Sequence, residues 1–443
     1  PARESKQTSA TLAARKQTLS TLLVAAGKLR RANDTKKTVE TLNEAGHLQL
    51  DLFLKNEALN TFHQSQALLQ QGTDSGTTVD TLNGLAAAYI AVNKYDEAQP
   101  LLNEARTISQ QNNYPAGEAE ALLLLSQCEN NTNHAVALNT ASEALGLWQS
   151  IGHYRGAVRS HLAIGTYQLA QSRLVEAAQG FQSALDLATT IDDPRLRAQA
   201  LVYLGYVEYR KGAWQELFSF MARAEELIDN EAEPYLMGRI TAGYAEAFIE
   251  TGLPEVGLQK YQEALEYYRQ TNTPRPLVSM SWGIGKAKFI LKQYPEALSI
   301  LQQTLADAEN LKLPSWIAQC HDHLGQTYAA MNQPEQALRH FETALRLYKD
   351  LVNPMEEARV RAMLGKLYQT QGKLNEAIPF YQRALQTFDV LNDRIDRAVV
   401  RRYAGLLVAG AACRAGRPLL LQPALLLPHR HAEADRRFSP GAG

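Results

Sequence analysis

Proline recurs in this sequence with a period that is typical of a repeat protein. Five prolines are equally spaced, and turn-forming residues such as Asp192-Asp193 and Val352-Asn353 precede them. The five are Pro194, Pro234, Pro274, Pro314 and Pro354. Proline suits the first turn of an α-helix, because the N–H that it lacks would have no partner there. Each of these prolines therefore predicts the start of a helix.

Small residues keep the same period and indicate where helices cross. Eleven positions after each proline lies a mostly small residue, which forms the first set. A second and a third set of small residues lie 12 and 19 positions after the first set. A mostly bulky residue lies between the second and the third set. Extrapolated toward the N-terminus, with one residue lost, the first set continues through Gly165, Leu125, Ala86 and Gly46. Closely packed helices need small side chains at their crossing, and the bulky residue fills the space between successive pairs. The pattern predicts nine units in one register.

Turn-forming residues separate the two helices of each unit. They lie between the first and the second set of small residues, and they are Asn93, Gly212, Gly252, Asn332 and Gly372. Glycine and asparagine tolerate the left-handed conformation that ends a helix. Each unit is therefore predicted as a first helix, a short turn, a second helix and a short link.

The spacing within a unit resembles the tetratricopeptide repeat (TPR). Leu324-Gly325-x-x-Tyr328 is followed by Ala337-x3-Phe341-x2-Ala344, and Leu364-Gly365-x-x-Tyr368 is followed by Ala377-x3-Tyr381-x2-Ala384. The usual period is about 34 residues and the period here is about 40 residues, so the extra residues lengthen the helices outside the motif. This long-period class resembles bacterial arrays found with CHAT proteases or regulator ATPases, and also animal spindle-orientation adaptors.

We expect an all-α fold, a right-handed α-solenoid (superhelix) of about nine antiparallel helix-pair TPR units. Residues 1–38 are predicted as an N-terminal capping helix, with Leu12, Leu19, Leu22 and Leu23 on one side, and residues 39–392 as the nine units. Residues 393–443 are predicted as a degenerate tenth unit and an irregular tail, in which Lys, Asn, Thr, Ile and Tyr disappear from Ala404 onward. Two interpretations of the tail remain open: an irregular cap, or a shift of reading frame from the parent protein.

Composition argues against several functional classes. The formal net charge of -1 gives no electrostatic reason for binding nucleic acid or an anionic membrane. The three cysteines, Cys128, Cys320 and Cys413, are too far apart for a disulfide framework. No apolar stretch is long enough to span a membrane, and the polar start of the chain does not match a secretory signal. We therefore expect a cytoplasmic protein without cofactor.

Candidate catalytic and metal-binding residues are weak. Cys320-His321-Asp322-His323 lie consecutively on a first helix, so only Cys320 and His323 share a face, and two ligands do not make a zinc site. His321 is expected in an apolar-facing slot. Cys128 is expected to be a core thiol in the slot of Tyr89, Tyr328 and Tyr368. No phosphate-binding glycine motif follows a strand pattern. The sequence thus predicts no enzyme, no catalytic residue and no metal site.

The TPR resemblance implies that the first helices line a concave groove. The side chains that it directs into this groove are Arg159, Tyr203, Tyr206, Arg239, Glu246, Trp282, Lys286, His323, Gln326, Arg359 and Lys366. Tyrosine, tryptophan and arginine are enriched at binding hot spots, although Tyr203 or Trp282 could instead pack between neighbouring first helices. The Lys/Asn arrangement with which chaperone-binding relatives hold a terminal carboxylate is absent.

Three functions are compatible with these patterns. The first is an interaction scaffold that binds a peptide or a partner domain in the groove of the superhelix. The second is the sensor region of a larger CHAT-protease or regulator-ATPase protein, in which ligand binding shifts the equilibrium of an effector domain. The third is a self-assembling structural array. The sequence does not identify the partner or the oligomeric state.

Overall fold

A computed structural model of the chain describes residues 12–69, 74–130, 133–229, 233–271, 273–390 and 400. Contacts divide the chain into two compact units, residues 1–291 (unit 1) and 292–443 (unit 2). The helices of unit 1 are α1 (Leu12–Arg31), α2 (Thr35–Asp51), α3 (Lys55–Ala67), α4 (Ser75–Ala91), α5 (Tyr95–Gln111), α6 (Pro115–Glu129), α7 (His134–Ser150), α8 (Tyr154–Ala170), α9 (Leu174–Thr190), α10 (Pro194–Lys211), α11 (Trp214–Glu225), α12 (Pro234–Glu250), α13 (Pro254–Gln270) and α14 (Pro274–Ile290). Those of unit 2 are α15 (Tyr294–Asn310), α16 (Pro314–Ala330), α17 (Pro334–Asp350), α18 (Pro354–Thr370) and α19 (Leu374–Val390).

The predicted all-α solenoid is confirmed, since the described residues form helices and turns without a strand. All five periodic prolines are the first residue of a helix, at the start of α10, α12, α14, α16 and α18. From α2 onward the even-numbered helices are the first helices of successive repeats. The odd-numbered helices that follow them are the second helices.

The predicted turns adopt the expected left-handed backbone. Asn93 and Asn332 have φ values of 62° and 57°, and Gly212, Gly252 and Gly372 have values between 71° and 86°. Each ends a first helix and reverses the chain into the second. The sequence pattern of helix, turn and helix is therefore confirmed at these positions.

One register assignment was wrong, and the structure locates the lost residue. The helices α4 and α5 begin at Ser75 and Tyr95, whereas α6 and α7 begin at Pro115 and His134, one residue closer together. The deletion thus lies in the turn after α6, and the residue at its helix crossing is Ser126, not Leu125. Ser126 is fully buried, and its Oγ lies 3.0 Å from the Tyr167 hydroxyl oxygen.

The same shift changes the place of Cys128 in the repeat. Counted from the first residue of each helix, Glu129 is equivalent to Tyr89, so Cys128 does not occupy the tyrosine slot. Cys128 is nevertheless a core thiol, buried with Val79, Leu102 and their neighbours. Burial raises the pKa of this thiol to about 11, which disfavours a reactive thiolate.

Bulky residues of the second helices pack between two first helices. Phe62 of α3 lies against Gly46 of its own repeat and Gly84 of the next, where an added Cβ would come within 2.7 and 2.2 Å of the ring. Met221 lies in the same way between Gly205 and Gly243. Only glycine leaves room for such large side chains. The small and bulky positions of the sequence are therefore complementary surfaces of the core.

The N-terminal helix packs on α2, and its residues Leu19 and Ala26 are buried. Leu23, predicted on the same side as Leu19, is instead 40% exposed. The capping role of residues 1–38 and the limits at 38 and 392 stay predictions. The predicted tenth repeat and the tail lie outside the described residues, apart from Val400.

Replacing Ala337 with leucine is expected to lower the free energy of unfolding by about 1–3 kcal/mol. Ala337 is fully buried against Phe341 and Ala344 in unit 2, so extra methylene groups have no space there. Urea unfolding followed by circular dichroism measures the change. Ala330→Leu, at an exposed position on α16, is the control and should unfold like the parent. Equal stability of both variants would contradict the packing described here.

Candidate functional site

The predicted groove residues fall at equivalent positions on one face of the first helices. Counted from the first residue of each first helix, they occupy positions 6, 9, 10 and 13, which one helical face presents together. Unit 1 carries Arg159 on α8, Tyr203 and Tyr206 on α10, Arg239 and Glu246 on α12, and Trp282 and Lys286 on α14. Unit 2 carries His323 and Gln326 on α16, and Arg359 and Lys366 on α18.

A cavity of about 860 Å³ opens on this face in unit 1. Its walls come from five successive first helices, α2, α4, α6, α8 and α10. Arg159 is the predicted groove residue that lines it. The other predicted residues of unit 1 belong to later repeats or to other positions on α10.

One wall of this cavity is acidic, and its residues are missing from the sequence-based predictions. Position 6 of the first three repeats holds Glu40, Asp80 and Glu120, and Glu44 and Asp51 add two more carboxylates. Burial raises the pKa of Asp80 above its usual range. These acidic residues could have been identified from the sequence, because three of them occupy the same repeat position as Arg159. The predicted groove residues begin only with the fourth repeat.

Arg159 is held by a carboxylate of the neighbouring first helix. Its guanidinium donates two hydrogen bonds to Glu120 of α6, at 2.8 and 2.9 Å. The charge of Glu120 raises the pKa of Arg159, and the pKa of Glu120 is lowered although burial acts in the opposite direction. Both side chains therefore stay charged, and they neutralise each other.

The other two arginines of the cavity are also paired with carboxylates. Arg155 pairs with Asp193 at 2.6 Å. The Arg195 guanidinium lies 3.1 Å from a Glu233 carboxylate oxygen and 3.4 Å from one of Asp51. Asp51 ends α2, whereas Asp193 and Glu233 lie immediately before α10 and α12. These ion pairs therefore join first helices of different repeats.

The N-terminal helix reaches the same charged region. Arg15 of α1 donates a hydrogen bond of 2.8 Å to Glu233, whose side chain is only 6% exposed. Phe53, just after α2, lies with its ring centroid 5.2 Å from that of Tyr235. These contacts link the N-terminal end of unit 1 to its sixth repeat, beside the cavity.

Asn83 provides a buried polar group on the cavity wall. The residue is 4% exposed, and its Nδ2 donates a hydrogen bond of 3.0 Å to the Gly117 carbonyl oxygen. Its Oδ1 is buried without a hydrogen-bond donor among the described residues. An unsatisfied buried acceptor costs free energy in the free protein.

Arg239 is surrounded by tyrosines rather than carboxylates. Its guanidinium carbon lies 4.2 Å from the ring centroid of Tyr203 and 5.3 Å from that of Tyr206. The Tyr206 hydroxyl donates to the Arg239 carbonyl oxygen at 3.1 Å, and the Phe181 ring stacks on Tyr203 with a centroid distance of 4.8 Å. The guanidinium lowers the pKa of Tyr203, against the effect of burial. Arginine and aromatic rings thus form one packed cluster.

Trp282 and Lys286 are in contact, as their spacing on one helix predicts. The Lys286 ammonium lies 5.7 Å from the Trp282 ring centroid. It also lies 3.3 Å from Glu246 and 3.0 Å from Glu250, and its side chain is only 16% exposed. Lys286 is therefore paired with two neighbouring carboxylates, so its substitution would disturb folding.

In unit 2 a buried carboxyl group, that of Asp322, lies beside the predicted residue Gln326. This carboxyl group, at position 9 of α16, is buried and accepts a hydrogen bond of 3.0 Å from Gln326. Burial raises its pKa to about 6. Arg359 donates to Glu356 of its own helix at 2.7 Å, whereas Lys366 is exposed.

The consecutive Cys320, His321 and His323 do not converge. His321, expected in an apolar slot, instead places its Nδ1 at 2.9 Å from the Nδ1 of His340 on α17. His323 approaches the carbonyl oxygen of Gln319 at 3.3 Å. Within the described part of the chain, no group of three or more His, Cys, Asp or Glu side chains could hold a metal ion.

Sequence comparison agrees with the geometry of the repeats. Three sequence profiles of the family described as tetratricopeptide repeat match residues 277–350, 324–389 and 78–112. The chain therefore contains tetratricopeptide repeats over these residues. No individual curated protein matches its sequence.

Solved structures with a similar fold are distant in sequence from this TPR protein. A Rap protein complexed with competence and sporulation factor is 11% identical, with a TM-score of 0.61, over 81% of this chain and 99% of that one. The apo quorum sensor NprR from B. thuringiensis is 12% identical, with a TM-score of 0.60, over 80% and 99%. A signal-transduction ATPase with a TPR sensor, from Pyrococcus horikoshii, is 13% identical, with a TM-score of 0.52, over 83% of this chain and 55% of that one.

A membrane span requires a helix that is both long and apolar. Across the residues described for this TPR protein, no helix meets both requirements.

Proposed function

We propose that this TPR protein is an interaction scaffold that binds a peptide segment of a partner protein on the first-helix face of unit 1. The cavity of about 860 Å³, lined by five successive first helices, is the observation that carries the proposal. Ligand pockets in proteins typically measure about 300–1,000 Å³. A cavity of this size accommodates a few side chains of an extended peptide.

The charges of the cavity determine which chemical groups such a peptide must carry. Its arginines are engaged by carboxylates, whereas Glu44 and Asp80 form no ion pair among the described residues. Asn83 adds a buried acceptor. Carboxylates and an amide oxygen all accept hydrogen bonds, so they favour a ligand group with N–H donors, such as an amino terminus or a basic side chain.

The combined change Glu44→Arg and Ala87→Trp is expected to abolish peptide binding while the protein remains folded. Glu44 is exposed and Ala87 half-buried, and both line the cavity, so the changes reverse one charge and fill space without opening the core. Binding is measured by selecting tagged random decapeptides on the full chain and by determining dissociation constants of the enriched peptides. Circular dichroism and thermal unfolding report folding.

The matched control places the same two residue types on an outer surface. Glu104→Arg with Asn103→Trp changes two exposed residues of α5, a second helix, and should leave the dissociation constants unchanged. Loss of binding in this control but not in the cavity variant would refute a binding site on the first-helix face. A folded parent that enriches no peptide would refute peptide binding altogether.

The proposal includes a non-enzymatic role, no cofactor, no membrane or nucleic-acid partner, and a cytoplasmic location. The same face would also serve a sensor region attached to an effector domain, as in the P. horikoshii ATPase that shares the fold. The full-length gene distinguishes the two roles, because only a sensor would be encoded together with an effector.

A further inference from the structure

Three arginines occupy position 6 of a first helix, and among the described residues only one of them has no carboxylate partner. Arg159 pairs with Glu120, and Arg359 pairs with Glu356. Arg239, at the same position of α12, forms no ion pair with any described residue. A carboxylate therefore neutralises two of the three arginines at this position, and none among the described residues neutralises Arg239.

The surroundings of Arg239 hold its guanidinium group in place without neutralising it. Tyr203 stacks on the group at 4.2 Å, and Tyr206 lies 5.3 Å away. An aromatic ring attracts a cation through its face but carries no net charge. The Tyr203 ring lies against the guanidinium, whose five N–H donors all lie in the plane of the group. The hydroxyls of Tyr203 and Tyr206 also interact with the guanidinium, so they hold it in place and leave other N–H groups of the five for a ligand.

A cation that is partly removed from water and has no counter-ion is unfavourable for the free protein. We propose that Arg239, oriented by Tyr203 and Tyr206, is the subsite that receives an oxyanion of the bound peptide, either its C-terminal carboxylate or a phosphate group. A planar guanidinium matches both anions with two parallel hydrogen bonds. This inference rests on the proposed function, because it assigns one end of the same ligand.

The distribution of charge along the first helices favours a peptide over RNA. Position 6 is acidic at Glu40 and Asp80 in the first two repeats, neutralised in the Glu120–Arg159 pair of the third and fourth, and basic at Arg239 in the sixth. A peptide carries an amino group at one end and a carboxylate at the other, so it matches this polarity. A polyphosphate chain would be repelled by the carboxylates of Glu44 and Asp80.

The test uses the full chain with four probes. Three are random decapeptide libraries: one with a free C-terminal carboxylate, one amidated, and one amidated with a fixed phosphoserine. The fourth is a short RNA with a 5′-triphosphate. Each probe is offered to the parent, to Arg239→Gln and to Arg239→Lys. The control is Arg269→Gln, which changes an exposed arginine on α13, the second helix of the same repeat. Circular dichroism verifies that each variant is folded.

The parent is expected to prefer the carboxylate or the phosphoserine library, and the preferred one identifies the source of the anion. In Arg239→Gln the dissociation constants of the enriched peptides should rise about 10- to 100-fold. Arg239→Lys keeps a cation beside the rings but loses the planar fork, so an intermediate loss is expected. It also tests the subsite if the glutamine variant does not fold. Arg269→Gln should bind like the parent.

Other results would overturn the inference in distinguishable ways. Equal binding of amidated, unphosphorylated peptides, unaffected by either Arg239 variant but lost in Glu44→Arg with Ala87→Trp, would remove the anion subsite and leave the proposed function intact. Binding of RNA alone, with dependence on Arg239, would refute a peptide ligand. Failure of every peptide library with the folded parent would refute the proposed function together with this subsite.

Discussion

Replacing Phe181 with alanine is expected to lower the free energy of unfolding by about 3–5 kcal/mol. Phe181 is fully buried on α9, and its ring fills the space left by Gly165, where an added Cβ would lie only 2.6 Å away. Truncation leaves a cavity between two first helices, and the close-packed repeats can collapse into it only in part. Urea unfolding followed by circular dichroism measures the loss.

The same substitution should also weaken binding at Arg239. Phe181 stacks on Tyr203, and Tyr203 in turn stacks on the guanidinium, so the core side chain fixes the aromatic support of the subsite. Phe220→Ala is the control, because Phe220 is a half-buried residue on the neighbouring second helix, α11. It should lose about half as much stability or less. Equal losses for the two variants would show that Phe181 is not the packing centre described here.

Asp322→Asn is expected to raise the free energy of unfolding at pH 7.5 by about 2–3 kcal/mol. Burial raises the pKa of Asp322 from 3.8 to about 6, and one pKa unit corresponds to about 1.4 kcal/mol. The folded state keeps the proton up to about pH 6, whereas the unfolded chain releases it near pH 4. The carboxyl group therefore destabilises the fold increasingly as pH rises through this window, and fully above it. Asparagine is neutral, and its Oδ1 still accepts from Gln326.

The pH dependence separates this explanation from a general effect of charge. At about pH 4.5 most of the penalty is absent, so the gain from Asp322→Asn should fall to about 1 kcal/mol. Asp350→Asn, at an exposed position at the end of α17, should change the stability by less than about 0.5 kcal/mol at either pH. A gain that is equal at both pH values would contradict a buried carboxyl group with a raised pKa.

Much of the fold could be predicted from local features of the sequence. Pro194 and its counterparts start helices because proline is favoured in the first turn, and Asn93 or Gly212 end them because asparagine and glycine adopt a positive φ at little cost. The error at Leu125 shows where local features stop being sufficient. The deletion near α6 could be placed on either side of the crossing by residue type alone; the helix bounds place it after α6, and the packing of Ser126 against Tyr167 agrees.

Less of the candidate site could be predicted. The repeat position of Arg159 is recognisable, but its partner Glu120 lies 39 residues earlier, on another helix. The sequence does not show whether a charged side chain at a surface position is neutralised by an ion-pair partner. Arg159 and Arg239 are therefore equivalent candidates until their surroundings are known.

The sequence by itself determined the helix–turn–helix unit, its regular period and the face that the first helices present, because these depend on backbone preferences and on residue size within one repeat. Tertiary structure alone decided which charges on that face are satisfied. It enclosed the cavity with five helices, paired Arg159 with Glu120, and placed Tyr203 rather than a carboxylate beside Arg239. Electrostatic compensation depends on distances of a few ångströms between residues that lie in different repeats, and no local pattern encodes those distances.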